Sequence, residues 1–452
     1  MEQLLENING FVWGIPTLSM ILLTGIRLGK KTRLAQIRLF PEALRRFWKM
    51  LRGKEGEGSF QALCTALAAT VGTGNIVGVA GAISLGGPGS IFWMWVCALL
   101  GMGIKYAEAV LAVRYRKNAA SGELLAGPMY YMELGMGKEY RWLGCCYSVL
   151  GCVAAFGMGS AVQVNAVVES IRHAGSSMGY PQPVWFGPAV GILLGILAGW
   201  SLLGGVKRIT GLASAMIPAA SVAYIVLCLG AICFHGNAVP AALGSIITGA
   251  FQPKAVTGGV LGSAFLAIRV GASRGVFTNE AGMGTAAIAH GAADTEEPVR
   301  QGLMGIMEVF LDTVVICTMT ALVILTAEVP IGFGLEEGPD LTARAFGATY
   351  GPWVSIPIAV FLGAFAFASM VGWGFYGLRC ARYLMGERAS MGFVLLLTAA
   401  GAAGALIGTG TLWVISEIFN ALMALPNLAA LWVLCPEVVR LTQRYTKGAA
   451  HR

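Results

Sequence analysis

The sequence predicts an all-α polytopic membrane protein with about eleven transmembrane helices. Two observations support this class: the composition and the recurrence of long apolar stretches. Of the 452 residues, 56% are hydrophobic and only 12% are charged, and the mean hydropathy is +0.71. A soluble globular chain carries about 25% charged residues. The 63 glycines fit the same class, because small residues let packed membrane helices approach closely.

Apolar stretches of about 20 residues, the length at which a helix crosses a bilayer, occur eleven times. The predicted spans are residues 10–29, 59–85, 88–113, 142–171, 184–203, 209–234, 257–290, 302–327, 351–378, 390–409 and 412–436. Between the first two spans, residues 33–52 are basic and carry apolar residues at helical spacing. We expect a helix along the membrane surface there, broken or kinked midway by Pro41.

The distribution of Lys and Arg predicts the orientation of the chain. With the N-terminus outside, 25 of the 31 basic residues fall in cytoplasmic segments, and only Arg172, Lys254 and Arg344 fall outside. Because cytoplasmic segments are enriched in Lys and Arg, we expect an external N-terminus and a cytoplasmic C-terminus. Ten of the basic residues lie between Arg27 and Lys54, which indicates a lipid-facing segment and argues against nucleic acid as a partner.

The second predicted span contains Gly72-Thr73-Gly74-Asn75 at mid-depth, within residues 59–104, which include no Asp, Glu, Lys or Arg. Backbone polar groups inside a bilayer have to be satisfied internally. Glycines around polar residues therefore suit a helix that breaks at this depth better than one that simply spans. A broken helix turns its freed amides and carbonyls towards a solute and an ion, so this pattern predicts a transporter.

The remaining spans predict an inverted repeat. After residues 1–58, the N-terminal helix and basic segment, ten spans divide into sets of five at 59–234 and 257–436, followed by a basic tail at 437–452. Because each set holds an odd number of spans, the second is inserted upside down. The second set also opens on an interruption, at residues 277–284, which are polar and rich in glycine. One break alone is equally well a packing kink, whereas paired breaks at matched positions indicate the binding site of a secondary transporter.

Several motifs occur in order over about residues 59–440. They are Ala66-Leu67, Gly72 to Ala80, Gly86-Gly87-Pro88-Gly89, Phe92-Trp93-Met94-Trp95, Gly127-Pro128-Met129-Tyr130-Tyr131, Arg274 to Gly284, Pro298-Val299-Arg300-Gln301-Gly302, Asp312-Thr313, Gly372-Trp373 and Tyr376-Gly377. Through them the sequence resembles the alanine/glycine:cation symporter family, also called sodium:alanine symporters. The resemblance implies a leucine-transporter fold with one extra N-terminal helix, in the plasma membrane, which is the inner membrane in bacteria. It also implies sodium-driven symport of small neutral amino acids, chiefly alanine and glycine, by alternating access.

The ninth span departs from the family pattern Trp-Ser-Tyr-Tyr-Gly-Glu. Here the corresponding residues are Trp373-Gly374-Phe375-Tyr376-Gly377-Leu378. Two hydroxyls and one charge are therefore missing, which bears on substrate range and gating rather than on the fold.

The resemblance implies a zwitterionic substrate held between the two breaks. Amides of the first break would receive its carboxylate, favoured by the positive end of the following half-helix, and carbonyls of the second break would receive its ammonium group. The expected substrate-binding residues are Gly72, Thr73, Gly74, Asn75, Gln163, Phe277, Asn279, Met283, Ser369 and Trp373.

Sodium is the expected coupling ion, and a hard cation prefers oxygen ligands. The expected ligands are the carbonyls of Thr70 and Val71 with the side-chain oxygens of Asn75 and Asn279. Asn75 follows a Gly-x-Gly, where the leucine-transporter pattern has a sodium-binding Asn. A second ion would use the Val71 carbonyl and Ser369.

The fourth and ninth spans are expected to form the pocket walls. Ser369 and Trp373 lie four residues apart and so share a helix face; the resemblance places them over the substrate, where Trp373 limits side-chain size. Core packing is the alternative for Trp373. Gln163 is a lone polar residue that either lines the cavity or forms an interhelical hydrogen bond. Met283 is expected to add an apolar contact.

Charged residues inside the spans need partners or water. Lys105 and Glu108, three residues apart, are expected to pair with each other. Arg274 and Glu280 flank the second break. We expect Glu280 to cap and brace the broken helix, with substrate binding as the alternative.

The sequence alone does not exclude other functions. A proton-coupled transporter of the same fold would use Glu280 or Asp312 as its titrating group. A membrane-embedded enzyme or a channel is a more remote alternative. The four histidines are scattered without the spacing of a metal pair, and the ten cysteines fit small buried hydrophobic residues. We therefore expect a transporter and no catalytic residues.

Overall fold

The computed structural model describes residues 2–54, 56–119, 122–177, 183–251, 260–334, 338–407 and 409–449. Most of these residues are helical. In chain order the α-helices are α1 (Glu2–Val12), α2 (Ile15–Lys31), α3 (Ala35–Arg38), α4 (Phe40–Leu51), α5 (Glu57–Thr70), α6 (Val79–Gly86), α7 (Gly89–Arg114), α8 (Pro128–Tyr131), α9 (Arg141–Phe156), α10 (Val162–Ser177), α11 (Phe186–Leu203), α12 (Gly205–Phe234), α13 (Val239–Phe251), α14 (Val260–Asn279), α15 (Thr285–His290), α16 (Pro298–Val309), α17 (Thr318–Thr326), α18 (Pro339–Tyr350), α19 (Ser355–Met385), α20 (Ala389–Gly404) and α21 (Thr409–Ala449).

Shorter segments connect or interrupt these helices. The π-helical segments are Gly74–Gly78, Met132–Met136, Gly157–Ala161 and Phe310–Cys317, and the 3-10 turns are Lys138–Tyr140, Gly236–Ala238 and Pro352–Val354. Strands β1 (Lys117–Asn118) and β2 (Leu124–Leu125) form an antiparallel pair in which Lys117 lies opposite Leu125.

The helices confirm an all-α polytopic class. Among the described residues, up to nine spans are long and apolar enough to cross a membrane, counting the bent pair Glu57–Thr70 and Gly74–Gly86 as one. The predicted span 390–409 corresponds to α20, which has only 16 residues. The predicted span 257–290 begins outside the described residues, since 252–259 are not among them. The total of eleven spans and the boundaries of the two repeats stay predictions.

Two helices occupy segments in which the sequence predicted no span. α13 crosses α7 so closely that a Cβ at Gly89 would lie 2.2 Å from the Gly249 carbonyl. In α18, the Thr342 hydroxyl donates to the Ile76 carbonyl at 3.2 Å. α18 therefore packs against the half-helix that follows the first break.

The predicted surface helix over residues 33–52 is divided in two. α3 ends at Arg38 and α4 begins at Phe40, so Pro41 lies in the first turn of α4 rather than within a continuous helix. A proline is tolerated there because its missing N–H would have no intrahelical partner. Phe40 packs edge-on against Phe310, with 4.9 Å between ring centroids, which attaches α4 to the eighth span.

Both predicted breaks are present. The second span bends by 53° between Glu57–Thr70 and Gly74–Gly86, because Val71 adopts an extended backbone with ψ of 96° that ends α5. In the seventh span α14 ends at Asn279, and the next residue, Glu280, has a φ of 54°. This left-handed conformation is uncommon for a residue with a side chain, and it turns the chain out of the helix.

The buried charges pair between helices rather than along one helix. Lys105 Nζ lies 2.7 Å from Glu308 Oε1, and His290 Nε2 lies 2.9 Å from Glu308 Oε2. Gln301 Nε2 lies 2.7 Å from His290 Nδ1. The prediction that Lys105 pairs with Glu108 is wrong: Lys105 meets the Glu308 carboxylate of a facing helix, and Glu108 bonds to the backbone of the second break.

Replacing Lys105 by methionine should destabilise the fold strongly, because the fully buried Glu308 carboxylate then loses its cation. Removing one partner of a buried ion pair costs about 3–5 kcal/mol. Thermal unfolding of the purified protein in detergent measures the loss. The double variant Lys105→Met/Glu308→Gln removes both charges and should recover most of the stability. An unchanged unfolding temperature for Lys105→Met would show that this pair does not hold α7 to α16.

Candidate substrate and ion site

The side chain of Asn75 closes the first break. Its Oδ1 accepts a hydrogen bond from the Gly72 N–H at 2.9 Å, an amide that the end of a helix leaves without a partner. Its Nδ2 donates to Asp312 Oδ1 at 2.7 Å and to the Asp312 carbonyl at 3.1 Å. All three residues are buried. Asn75 therefore links the first break to the eighth span.

Asp312 and Thr313 continue this link to the second break. The Thr313 hydroxyl donates to Asp312 Oδ2 at 2.8 Å and accepts from Asn279 Nδ2 at 3.2 Å. Asn279 Oδ1 in turn accepts from the Ala281 N–H at 3.0 Å. A continuous chain of hydrogen bonds thus connects the two breaks, and we call Asn75, Asp312, Thr313 and Asn279 the polar bridge.

Asp312 is the acidic centre of the polar bridge. It lies in the π-helical segment Phe310–Cys317, and such a segment inserts an extra residue into a helical turn, often at a functional site. Its side-chain hydrogen-bond donors are Asn75 and Thr313, which are neutral. No ion pair among the described residues includes it. Because an unpaired buried carboxylate is costly, this position favours a cation or a proton.

Gln163 and Ser369 lie on the other side of the first break. The Thr73 hydroxyl donates to Gln163 Oε1 at 3.3 Å, and Gln163 Nε2 donates to the Met158 carbonyl at 3.1 Å. Ser369 Oγ donates to the last turn of α5 at 3.4 Å. A Cβ at Gly72 would lie only 2.5 Å from Ser369 Oγ, so glycine is what permits this close approach.

Trp373 lies one turn further along α19 and is fully buried. It packs on Gly159, where a Cβ would lie 2.4 Å from Trp373 Cβ. Its Nε1, the Tyr376 hydroxyl and Glu280 Oε1 are buried and have no hydrogen-bond partner among the described residues. The Trp373 and Tyr376 rings lie 5.8 Å apart, and the Trp373 side chain lies within reach of the Glu280 carboxylate. Of these three atoms, the Tyr376 hydroxyl is therefore the one available to a solute.

Glu108 satisfies the backbone of the second break. Its Oε1 accepts from the N–H groups of Gly282 and Gly284, each at 3.1 Å, and from Asn427 Nδ2 at 2.7 Å. The Tyr131 hydroxyl donates to Asn427 Oδ1 and holds this amide in place. Side chains from other spans thus replace the hydrogen bonds that the broken helix lacks.

Glu280 braces the same break, as expected. Its Oε2 accepts from the Thr285 hydroxyl, on the first residue of α15, at 2.6 Å. On the α14 side, Arg274 contacts Glu417 Oε1 at 3.1 Å, and Phe277 stacks on Trp413 with 4.7 Å between ring centroids. The two half-helices are therefore anchored to each other and to the eleventh span.

The whole chain, residues 1–452, matches the sequence model described as the sodium:alanine symporter family. The chain belongs to this family. It is a multi-pass membrane transporter and not an enzyme, and the family resemblance predicted from the sequence is confirmed.

Relatives from this family align with the chain over almost their full length. It is 38% identical to the sodium/alanine symporter AgcS of Methanococcus maripaludis, over 98% of this chain and 97% of that protein. It is 41% identical to an uncharacterized transporter of Haemophilus influenzae, over 98% and 96%. It is 34% identical to the probable sodium/glutamine symporter GlnT of Bacillus subtilis, over 99% and 92%.

Two solved structures share its fold. MhsT in complex with L-phenylalanine matches with a TM-score of 0.58 at 16% identity, over 84% of this chain and 97% of that chain. The nucleobase-cation-symport-1 transporter Mhp1, in a closed conformation with bromovinylhydantoin bound, matches with a TM-score of 0.51 at 12% identity, over 84% and 77%. At these identities the likeness concerns the fold alone, and it confirms the leucine-transporter fold predicted from the sequence.

Most of the predicted site residues of this symporter lie at the breaks. Those at or beside the first break are Thr70, Val71, Gly72, Thr73, Gly74, Asn75, Gln163 and Ser369. Asn279 joins them through the polar bridge. Gly74 faces the second break, since a Cβ there would lie 3.1 Å from Thr278 Cγ2.

Phe277 also reaches the first break, since a Cβ at Gly74 would lie 3.6 Å from its Cδ1, while its ring stacks on Trp413 in the eleventh span. Two other predicted residues, Met283 and Trp373, have contacts with other spans. The Met283 side chain is fully buried, and its carbonyl accepts from the Tyr147 hydroxyl at 3.0 Å. Trp373 borders the fourth span through Gly159. Of the two alternatives for Gln163, the interhelical hydrogen bond is present, to Thr73, and the cavity-lining role stays a prediction.

Residues outside the predicted set complete the site. Asn427 was not considered. Asp312 and Thr313 were noted as a family motif, Asp312 also as a titrating group of the proton-coupled alternative, and Glu108 as the expected partner of Lys105, but none of the three was among the predicted site residues. A polar or charged residue within an apolar span is itself a signal of function. The sequence does not reveal which residue each of them contacts, because that partner lies in another span.

Proposed function

We propose that this symporter couples sodium to the uptake of small neutral amino acids, chiefly alanine and glycine, by alternating access. The observation that carries the proposal is the polar bridge, which sets the buried Asp312 carboxylate between two broken spans. Secondary transporters bind substrate and coupling ion at such paired breaks. The names of the relatives, a sodium/alanine and a probable sodium/glutamine symporter, support the same activity.

Sodium binds beside the first break in this proposal. Its ligands are the carbonyls of Thr70 and Val71, the Asn75 side-chain oxygen and, added from the geometry, the Asp312 carboxylate. Asn75 Oδ1 accepts one hydrogen bond, from Gly72, and a carbonyl oxygen has a second lone pair for an ion. The charge of sodium offsets that of Asp312, which the neutral donors around it do not.

The other predicted ligands supplement this set. Asn279 adds its side-chain oxygen from the far end of the polar bridge. Ser369 and the Val71 carbonyl are the candidates for a second ion, supported by the bond from Ser369 to the last turn of α5.

The amino acid lies between the two breaks in this proposal. Its carboxylate meets the amides of residues 72–75 and its ammonium group the carbonyls of residues 277–279. Ser369 and Gln163 approach Gly72 within contact distance, which supports a small substrate side chain. Trp373, fully buried on Gly159, limits that side chain, and Met283 supplies apolar surface.

The distribution of Lys and Arg supports an orientation of the chain in the membrane. We propose an external N-terminus and a cytoplasmic C-terminus, because 25 of 31 basic residues then face the cytoplasm. The units that move during alternating access are the predicted repeats 59–234 and 257–436, in the plasma membrane. The bilayer surrounds both.

Proton coupling is the second candidate, and the same carboxylate favours it. A proton on Asp312 would remove the charge as well as a sodium ion would. Glu280, with one carboxylate oxygen lacking a partner among the described residues, is the other group for this role. Only the dependence of transport on sodium separates the two candidates.

Replacing Asn75 by alanine should abolish sodium-dependent alanine uptake, because it removes a sodium ligand and the donor to Asp312. Uptake of labelled alanine into proteoliposomes is measured at fixed pH, with a gradient of sodium or of choline. Wild type should concentrate alanine only with sodium. Asn75→Ala should show about the same low uptake with either cation.

Asn165→Ala is the matched control, because Asn165 is also a buried amide but binds the Gly404 carbonyl, away from both breaks. It should keep the sodium dependence of wild type. Undiminished wild-type uptake in choline would refute sodium coupling and favour the proton. Wild-type uptake by Asn75→Ala, with unchanged sodium affinity, would instead show that Asn75 is misassigned while sodium coupling stands.

Replacing Trp373 by alanine should admit bulkier amino acids, because the removed indole is expected to limit the pocket. Competition of unlabelled glutamine, leucine and phenylalanine with alanine uptake measures the change. Phe365→Ala, a fully buried aromatic residue of α19 that packs on Tyr224, is the control and should keep the selectivity of wild type. Unaltered selectivity in a folded Trp373→Ala protein would remove this residue from the pocket.

A further inference from the structure

A basic pocket lies far from the two breaks, where the turn after α2 meets the last turns of α21. Its volume is about 410 Å³. Four cationic side chains line it: Lys31, Arg33 and Arg38 from the α2–α3 region and Lys447 from α21. Hydroxyl groups of α21 lie among them, and no carboxylate lines the pocket.

The four cations of the basic pocket are not neutralised by the residues that the structure describes. None of them forms an ion pair with any described residue. Like charges gathered in one cavity repel each other, so the arrangement is stable only with water, salt or a bound anion. A strong anion that reaches all four is the best partner.

A neighbouring cavity of about 730 Å³ differs from the basic pocket in its charge. It is also rich in arginine, but carboxylates pair with these residues: Arg46 with Glu42 at 3.1 Å, and Arg440 with Glu437 at 2.6 Å. Carboxylates therefore offset part of the positive charge of this mixed pocket. The basic pocket, lined by another face of the same turns of α21, has no carboxylate in its lining.

The backbone of the α2–α3 turn holds its residues in an unusual conformation. Arg33 has a φ of 57° and Leu34 a φ of 52°, both in the left-handed region where glycine is favoured. The Leu34 N–H donates to the Gly29 carbonyl at 2.6 Å, which fixes the turn. The turn therefore presents the Arg33 side chain from a defined backbone.

The basic pocket lies at the ends of two spans and beside exposed apolar groups. Lys31 ends the candidate span Leu4–Lys31, and the candidate span Gly410–Gly448 reaches past Lys447. Leu34 is 49% and Ile37 is 50% exposed, next to the cations in sequence. Cationic and apolar side chains on one segment are typical of the membrane interface, where apolar groups contact acyl chains and cations contact phosphates.

We propose that the basic pocket binds the headgroup of an anionic phospholipid, with the phosphate between Arg33, Arg38 and Lys447. Basic pockets between transmembrane helices are known to hold such headgroups. The exposed Leu34 and Ile37 contact the acyl chains, which a free phosphate ester does not have. The bound lipid joins the first span to the last. The proposal depends on the chain being a membrane transporter and not on its substrate or coupling ion.

The test measures lipid binding by the full chain in detergent. Native mass spectrometry and thermal unfolding are followed while phosphatidylglycerol, phosphatidylcholine or glycerol 3-phosphate is added. Phosphatidylglycerol should bind wild type and raise its unfolding temperature, and the other two should not. Arg33→Gln/Arg38→Gln should weaken phosphatidylglycerol binding about thirtyfold, and Lys447→Gln, on the opposite helix, about fivefold. Arg440→Gln/Arg444→Gln removes the same charge from the mixed pocket and should bind as wild type does.

The outcomes separate the lipid from other anions. Equal binding of phosphatidylglycerol by wild type and Arg33→Gln/Arg38→Gln would overturn the proposal, as would equal binding of phosphatidylcholine. Binding of glycerol 3-phosphate as tight as that of the lipid would show a site for free phosphate esters and would also overturn it. If the double variant does not fold, Lys447→Gln decides alone, and unweakened binding by that variant contradicts the proposal.

Discussion

A helix that breaks inside a membrane leaves backbone amides and carbonyls that lipid cannot satisfy, and the rest of this structure depends on how they are satisfied. At the first break, Asn75 accepts from the Gly72 amide. At the second, Glu108 accepts from two glycine amides, and Asn279 accepts from Ala281. The freed amides are thus satisfied by an asparagine of the broken span itself at each break and, at the second, also by Glu108 of the third span.

The same side chains join the two breaks to each other. Asn75 and Asn279 each use the amide oxygen for a backbone N–H and the amide nitrogen for the Asp312–Thr313 pair. A ligand that shifts one break therefore acts on the other through two or three hydrogen bonds. The carboxylate at the centre of this path is where a cation has the largest electrostatic effect, since a buried charge without an opposite charge is the costly case. The proposed ion site and the proposed substrate site are coupled in this way.

The sequence sufficed for features that follow from local chemistry. Glycine and polar residues at membrane depth predicted both breaks, and apolar length predicted most spans. Asn75 and Ser369 were expected at the first break because of the motifs around them, and their contacts with Gly72 agree with this. Glu280 was expected to brace the second break, and its bond to Thr285 does so.

Features that depend on contacts between distant spans could not be predicted. Lys105 and Glu108 have the spacing of an intrahelical pair, yet Lys105 meets Glu308, 203 positions away in the chain. Glu108 meets Asn427, 319 positions away. The partner that a buried charged side chain contacts depends on how each helix is rotated and packed. The spacing of residues along one span does not determine either. α13 and α18 were missed for a related reason: they are too short for a span, and tertiary packing against α7 and the first break supports them.

The direct test of the ion site is the sodium dependence of alanine binding to Asp312→Asn. Asparagine keeps the size of the side chain and an acceptor for Asn75. The variant removes the charge, and its amide nitrogen takes the place of the oxygen that accepts from the Thr313 hydroxyl. Binding of labelled alanine to the purified protein, titrated with sodium, gives the sodium affinity. We expect it to fall by about tenfold or more, equivalent to about 1.4 kcal/mol. A folded Asp312→Asn protein with the sodium affinity of wild type would contradict the assignment of Asp312 to the ion site.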